Sequence, residues 1–269
     1  LTWKISKQLA DYSNILATKC LKKQQIEKAT GLLKKARKYT DPLPDSDWMF
    51  KKEWQDCRMT TFRNISWLYQ KKENYKKALD CLKIVLKLEK SSQYVENPES
   101  THLNMAILYS KLDDPDAAYE HSCQALSSLE TQLNIDSTIS LIDTVFRKTK
   151  HVPSKDVFTK KMVSLALGYH NKGRALLKLE KAGEAMHAFK RASGLGEKYL
   201  GIKDRLTKVF HDDLKESSTM LRQKREKQVI KKSRELQGLP TEKKSRRRRN
   251  HAESSSSPSG SPPNKRLTR

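Results

Sequence analysis

The sequence is poor in helix breakers, with nine Gly and nine Pro in 269 residues and several of the prolines in the last third. Long stretches contain neither, which argues against many short, turn-bounded strands and in favour of helices. Cysteines are few: Cys20, Cys57, Cys81 and Cys123 show no CxxC pairing and no matching His spacing. That excludes a disulfide framework and a structural zinc site, and within apolar helical patterns these thiols are expected to be buried and reduced. There is no run of 18 apolar residues and no secretory start, so no membrane insertion is expected and the sequon Asn64-Ile65-Ser66 should be unused. The start at Leu1 rather than Met is what a piece of a longer protein would show.

Motifs that carry chemistry are equally scarce. The sequence has no Walker loop, no nucleophile elbow and no HExxH. Its seven histidines are scattered, none at metal-ligand spacing with Cys or carboxylates. His170 and His187 fall on opposite helices of one hairpin, where they serve as a pair or simply as surface polarity. Gly194-x-Gly196 lacks the preceding strand and third glycine of a nucleotide fingerprint and reads as a helix-terminus feature. No cofactor, no metal and no enzymatic activity are expected.

Charge is plentiful. Hydrophobic residues make up 36% and charged residues 32%, polar enough for an elongated protein with a thin core. The net charge of +24 is uneven: residues 217–269 hold 16 Lys/Arg against 4 Asp/Glu, half of the excess. Such a tail either solubilises the chain or seeks an anion, whether nucleic acid, anionic lipid or an acidic protein surface such as tubulin. Arg222–Gln237 is charged nearly all round and is expected to be an exposed helical extension. Beyond Gly238-Leu239-Pro240 the composition cannot bury enough apolar surface to fold, so disorder is expected. There, Lys243, Lys244, Arg246, Arg247, Arg248 and Arg249 suit either nuclear import or salt-dependent polyanion binding. Ser257-Pro258 and Ser261-Pro262 are candidate phosphorylation sites or plain low-complexity sequence. Two domains are expected, 1–216 and 217–269.

Internal repetition decides the fold. Four segments place a small residue on one helix (Ala17, Ser66, Ala106, Gly173) and another about a dozen residues later on the next (Ala29, Ala78, Ala118, Ala185). Two antiparallel helices need slender side chains where their axes come closest, typically 8–10 Å apart. Large residues (Tyr69, Tyr109, Leu82, Phe189) are expected to fill the gaps between hairpins. Turns are expected at Lys71–Asn74 and Leu112–Pro115. Leu206, Val209, Phe210 and Leu214 are expected to form the stripe of a capping helix, as a solenoid end requires. Ile139–Phe146 has helical spacing and is expected to be an additional helix, broken by Pro153 before a first helix lengthened over Asp156–Tyr169. Residues 41–58, with Trp48, Phe50 and Trp54, are expected to be another elaboration.

This pattern resembles the tetratricopeptide-repeat (TPR) family over roughly 10–43, 59–92, 99–132 and 166–199, about half of the chain. The starts are 49, 40 and 67 residues apart, instead of the family's 34. Lys172 and Ser122 depart from the family pattern. The ending Tyr199-Leu200-Gly201, followed by Leu206-Thr207, is similar to the kinesin-light-chain-like branch, which many axonemal TPR proteins also resemble. The resemblance implies an all-α, right-handed solenoid of about four irregular helical hairpins, with a capping helix and a disordered basic tail.

It also implies a peptide-binding groove lined by the first helix of each repeat. Carried onto this chain, the groove positions are Asn14, Thr18, Arg63, Trp67, Lys71, Leu103, Ile107, Lys111, His170, Arg174 and Lys178. Asn64, Asn104 and Asn171 stand where the family often uses Asn to hold a peptide backbone. The implied ligand is an extended or helical peptide with acids and an apolar anchor, unless the inserts fill the groove. The chaperone-tail clamp of some TPR domains is only partly present, because Trp67 and Leu167 replace two of its polar residues. The implied role is a protein–protein scaffold in a cytoskeletal or ciliary assembly, cytoplasmic, with tubulin or microtubules as a candidate partner. The alternative is a nuclear or RNA-associated scaffold using the Arg-rich tail.

Overall fold

Four helical hairpins follow one another. They pair α1 (Trp3–Lys22) with α2 (Ile26–Tyr39), α3 (Lys51–Lys71) with α4 (Tyr75–Ser91), α5 (Pro98–Lys111) with α6 (Pro115–Phe146), and α7 (Lys155–Lys178) with α8 (Ala182–Tyr199). A ninth helix, α9 (Arg205–Leu236), comes after them, and no strand occurs among the described residues. The computed structural model describes residues 3–41, 51–92, 97–146 and 155–237. It divides into two compact units, Leu1–Ser217 and Ser218–Arg269.

Local chemistry starts and stops these helices. Asn74 caps α4 by accepting a hydrogen bond from the Lys77 N–H at 3.1 Å, and Asp114 does the same for Ala117 at 3.0 Å. Pro98 and Pro115 open α5 and α6, where a missing N–H does no harm. The four hairpin turns share one backbone geometry. Gln24, Glu73, Asp113 and Glu180 all take left-handed conformations, with φ of 60°, 56°, 61° and 58°. The next residue in each turn donates its N–H five residues back: Gln25 to Cys20, Asn74 to Tyr69, Asp114 to Tyr109 and Lys181 to Leu176, at 2.9–3.0 Å. These bonds satisfy carbonyls that a helix end would otherwise leave unpaired.

The slender residues sit where the repeat pattern requires them. Ala17, Ala29, Ser66, Ala78, Ala106, Ala118 and Ala185 are all buried. At Gly173 a methyl group would meet the Phe189 ring at 2.7 Å, so α7 and α8 come closer there than alanine allows. Each hairpin packs internally, and each second helix packs against the next first helix, α2 on α3, α4 on α5 and α6 on α7. The cores follow this order. Leu21, Leu33, Phe62 and Val85 join the first two hairpins, while Leu82, Met105 and Leu108 join the second to the third. Leu126, Leu129, Tyr169 and Phe210 run from the third hairpin to α9.

Four expectations change. Ile139–Phe146 is no separate helix but the continuation of α6, because no breaker lies between Leu133 and Ile139. The buried stripe of α9 is Thr207, Phe210 and Ser217 with half-buried Leu214, while Leu206 and Val209 stay exposed. Gly196 belongs to the interior of α8, where a Cβ would sit 3.0 Å from both Phe210 and Thr207. It marks the approach of α9 rather than a helix end; the end is set by Gly201, at φ +93°. Of the four reduced thiols, Cys57 and Cys81 are buried but Cys20 and Cys123 are only half-buried.

Within 41–58, residues 51–58 form the first turns of α3, where Arg58 lies over the Trp54 ring at 5.1 Å. Trp48, Phe50 and Pro153 lie outside the described residues, as do Lys243, Lys244 and Arg246–Arg249. In the second unit, residues 218–236 are helical and exposed apart from half-buried Leu221. Arg222–Glu226 and Lys231–Glu235 pair along this helix at 3.7 and 3.8 Å.

Candidate functional site

The first helices of the hairpins lie side by side, α1 against α3 and α5 against α7. They carry the residues expected to line a groove. Several of these side chains are occupied in holding the helices together. Asn14 is buried: its amide donates to Thr61 Oγ1 at 2.9 Å, and its carbonyl accepts from Asn64 at 3.1 Å. Thr18 bonds back to the Asn14 carbonyl. Leu103 is buried in the array. Asn104 spends its amide on the Ser100 carbonyl one turn earlier.

His170 is also withdrawn. Its Nε2 lies 2.7 Å from Asp213 Oδ2 of α9, and its ring lies near those of Phe189 and Phe210. Burial lowers its pKa below the usual imidazole value, outweighing the opposite pull of Asp213. The ring is therefore neutral near pH 7, with the Nε2–H donating to the carboxylate. Asn14, Leu103 and His170 are thus packed rather than presented, because neighbouring helices cover the positions the family leaves open.

Arg63 is half committed. Its guanidinium donates to Glu89 Oε1 at 2.6 Å, and the same oxygen accepts from Thr101 Oγ1 at 2.6 Å. One buried carboxylate on α4 thereby ties α3 to α5. Burial raises the Glu89 pKa despite both donors and the Arg63 charge. Sequence reading missed this network because a Glu in a Lys-rich helix looks like surface; only its position two residues before the end of α4, facing Thr101, reveals it.

What remains open is compact in chemistry. Lys71, Lys111 and Arg174 are exposed, Ile107 is 39% exposed, and Trp67 is half-buried against the first core cluster. The Asn171 amide nitrogen is buried with no hydrogen-bond partner, a costly state. Lys178 staples two hairpins, donating to the Ser110 carbonyl at 3.0 Å and to Asp113 at 2.7 Å. Exposed cations and two apolar surfaces suit an acidic peptide with an apolar anchor.

Among the described residues no group of three or more His, Cys, Asp or Glu is placed to hold a metal, and no helix is long and apolar enough to cross a membrane.

Residues 166–197, the fourth hairpin, match the family model for the tetratricopeptide repeat. No curated protein matches the chain. Among solved structures it is similar to BtubC (BKLC) from P. vanneervenii, at 16% identity and TM-score 0.59, covering 98% of this chain and 87% of that one. It is also similar to nearly identical TPR-like repeats of a protein described as a kinesin light chain from Podosopora anserina, at 14% identity and TM-score 0.54. That match covers 86% of this chain and 96% of the other. The fold is therefore a helical-hairpin solenoid of the TPR type.

Proposed function

We propose that this TPR solenoid is a non-enzymatic adaptor that takes an acidic, apolar-anchored peptide on the face formed by α1, α3, α5 and α7, within a cytoskeletal or ciliary, microtubule-associated assembly. The observation that carries the reading is what the first helices leave open: exposed Lys71, Lys111 and Arg174, with Ile107 and half-buried Trp67. The kinesin-light-chain-like neighbours and the excess of 12 positive charges in residues 217–269 support the assembly, with tubulin's acidic surface as the natural counter-charge for the tail.

Co-sedimentation with microtubules tests it. The full chain is expected to pellet in low salt, and a variant with Lys243, Lys244 and Arg246–Arg249 all changed to Ala is expected to pellet less. Equal pelleting of the two would refute the role of the tail. A fluorescent fusion tests the second reading, a nuclear or RNA-associated scaffold, which the cluster of cations at 243–249 favours. Nuclear signal lost in the same variant would replace the cytoskeletal reading.

A further inference from the structure

A cleft lies on the opposite side of α7 from the face described above. Tyr169 and Lys172 of α7, with Glu184, His187, Lys190 and Arg191 of α8, line an open cleft of about 500 Å3. At 100° per residue, Tyr169, Lys172 and Leu176 stand about 160° around α7 from Asn171, Arg174 and Lys178. The cleft is therefore independent of the proposed peptide face.

Its charges are held in place from below. Arg191 Nη1 donates to the Tyr169 hydroxyl at 2.5 Å, and the guanidinium lies 5.2 Å from the centre of that ring. The hydroxyl in turn donates to Glu130 Oε1 of α6 at 2.5 Å. The guanidinium thus spends one of its five N–H donors on a neutral oxygen and forms no direct ion pair with Glu130. Lys172 Nζ lies 5.5 Å from the centre of the Tyr119 ring, again against an aromatic face rather than a carboxylate. Lys172, Lys190 and Arg191, with the His187 imidazole, share the cleft lining with one acid, Glu184, while Glu130 sits behind the Tyr169 hydroxyl. Two of those cations are steadied by rings, so binding an anion there costs less side-chain entropy than it would for free lysines.

We propose that this cleft binds a phosphate-bearing side chain, a phosphoserine or phosphothreonine on a partner peptide, with the Arg191 fork and Lys172 holding the phosphate oxygens. A planar guanidinium with free N–H donors beside a point-charge ammonium is the combination that phosphate recognition uses, since a dianion repays two separated cations where a single carboxylate does not. Leu176 and Ala188 form an apolar floor on which the carbon stem of such a side chain rests. The volume accommodates one phosphorylated residue and part of a neighbour.

The test is a titration of the full chain, isotope-labelled for NMR, with O-phospho-L-serine, inorganic phosphate, L-glutamate and L-serine. Phosphoserine is expected to shift the signals of Lys172, His187 and Arg191 selectively and saturably, and serine to shift none. Lys172→Gln, on a half-exposed side chain, is expected to weaken phosphoserine binding roughly three- to tenfold while leaving the spectrum elsewhere unchanged. Arg191→Lys, which keeps the charge but loses the fork, is expected to weaken it similarly. Inorganic phosphate binding as tightly as phosphoserine would reduce the site to a free-anion site and overturn the peptide reading. Glutamate binding as tightly, shifts spread over all surface lysines, or an unaltered response in Lys172→Gln would overturn the proposal outright. None of these outcomes depends on the peptide face or the tail.

Discussion

Replacing Gly173 with alanine tests the packing of the repeats most directly. The added Cβ would stand 2.7, 2.9 and 2.9 Å from three carbons of the Phe189 ring. Carbon atoms normally touch at about 3.5–4.0 Å, so the ring must retreat by close to 1 Å. It has little room to do so, being fully buried in a cluster with Leu176 and Ala185 and with the His170 ring 5.7 Å away. Overpacking of this kind costs about 1–3 kcal/mol. Alanine's better helix propensity returns about 0.5–1 kcal/mol. The net expectation is a loss of about 1–2 kcal/mol, or a fall in Tm of about 2–8 °C for a unit of this size.

Gly194→Ala is the internal control, since nothing lies within 4 Å of its Cβ position in the same α8. That variant is expected to gain about 0.5–1 kcal/mol and to melt higher. Thermal unfolding followed by far-UV circular dichroism reads both. Adding Phe189→Leu to Gly173→Ala should recover part of the loss, giving a favourable coupling in the double-mutant cycle. If Gly173→Ala and Gly194→Ala move Tm in the same direction, the close approach of α7 and α8 is refuted.

Three further outcomes are expected. Arg63→Met leaves Glu89 buried with Thr101 alone, and is expected to cost about 2 kcal/mol near pH 8 and less as the pH falls, because burial makes the carboxylate easier to protonate; urea midpoints that fall equally at high and low pH would contradict this. His102, His121 and His170 all have pKa values lowered by burial, so the fold favours their neutral forms. Their stabilisation is complete above the unfolded value of 6.5 and is lost as pH falls below it. A melting temperature that declines from pH 7 to 6, and declines less in His121→Gln, is the expected result, and a flat profile would count against it. Glu73→Gly, at a left-handed φ of 56°, is expected to raise stability by up to about 1 kcal/mol; a lower Tm would show that the Glu73 side chain does more than tolerate its turn.

How much of this was legible beforehand differs from feature to feature. The hairpins were readable because close approach has a covalent signature: only small residues fit at positions such as 17, 66 and 106, and only Gly at 173. The shared turn was invisible because Gln24, Glu73, Asp113 and Glu180 have no chemistry in common; the geometry is imposed by the helices on either side. On α9, Phe210 and Leu214 pack as expected, but Leu206 and Val209 do not, because apolar side chains outscore Thr207 in any hydrophobic pattern. Yet Thr207 is the side chain that fits against Gly196. On the candidate face, the pattern identified the helices but not which side chains were already bonded. Asn14, His170 and Arg63 find partners on residues 47, 43 and 26 positions away, and no local signal reports such pairings.

The left-handed residues at 24, 73, 113 and 180 carry a consequence for engineering. Each holds a side chain in a conformation that costs an ordinary residue about 1–2 kcal/mol, yet each lies in a different hairpin, too distant to interfere with the others. Asp113 must keep its carboxylate for Lys178, but Gln24 and Glu73 form a pair of independent adjusting screws. Tightening them one at a time would rank how firmly each hairpin is fastened to its neighbours, without disturbing either surface on which a partner would rest.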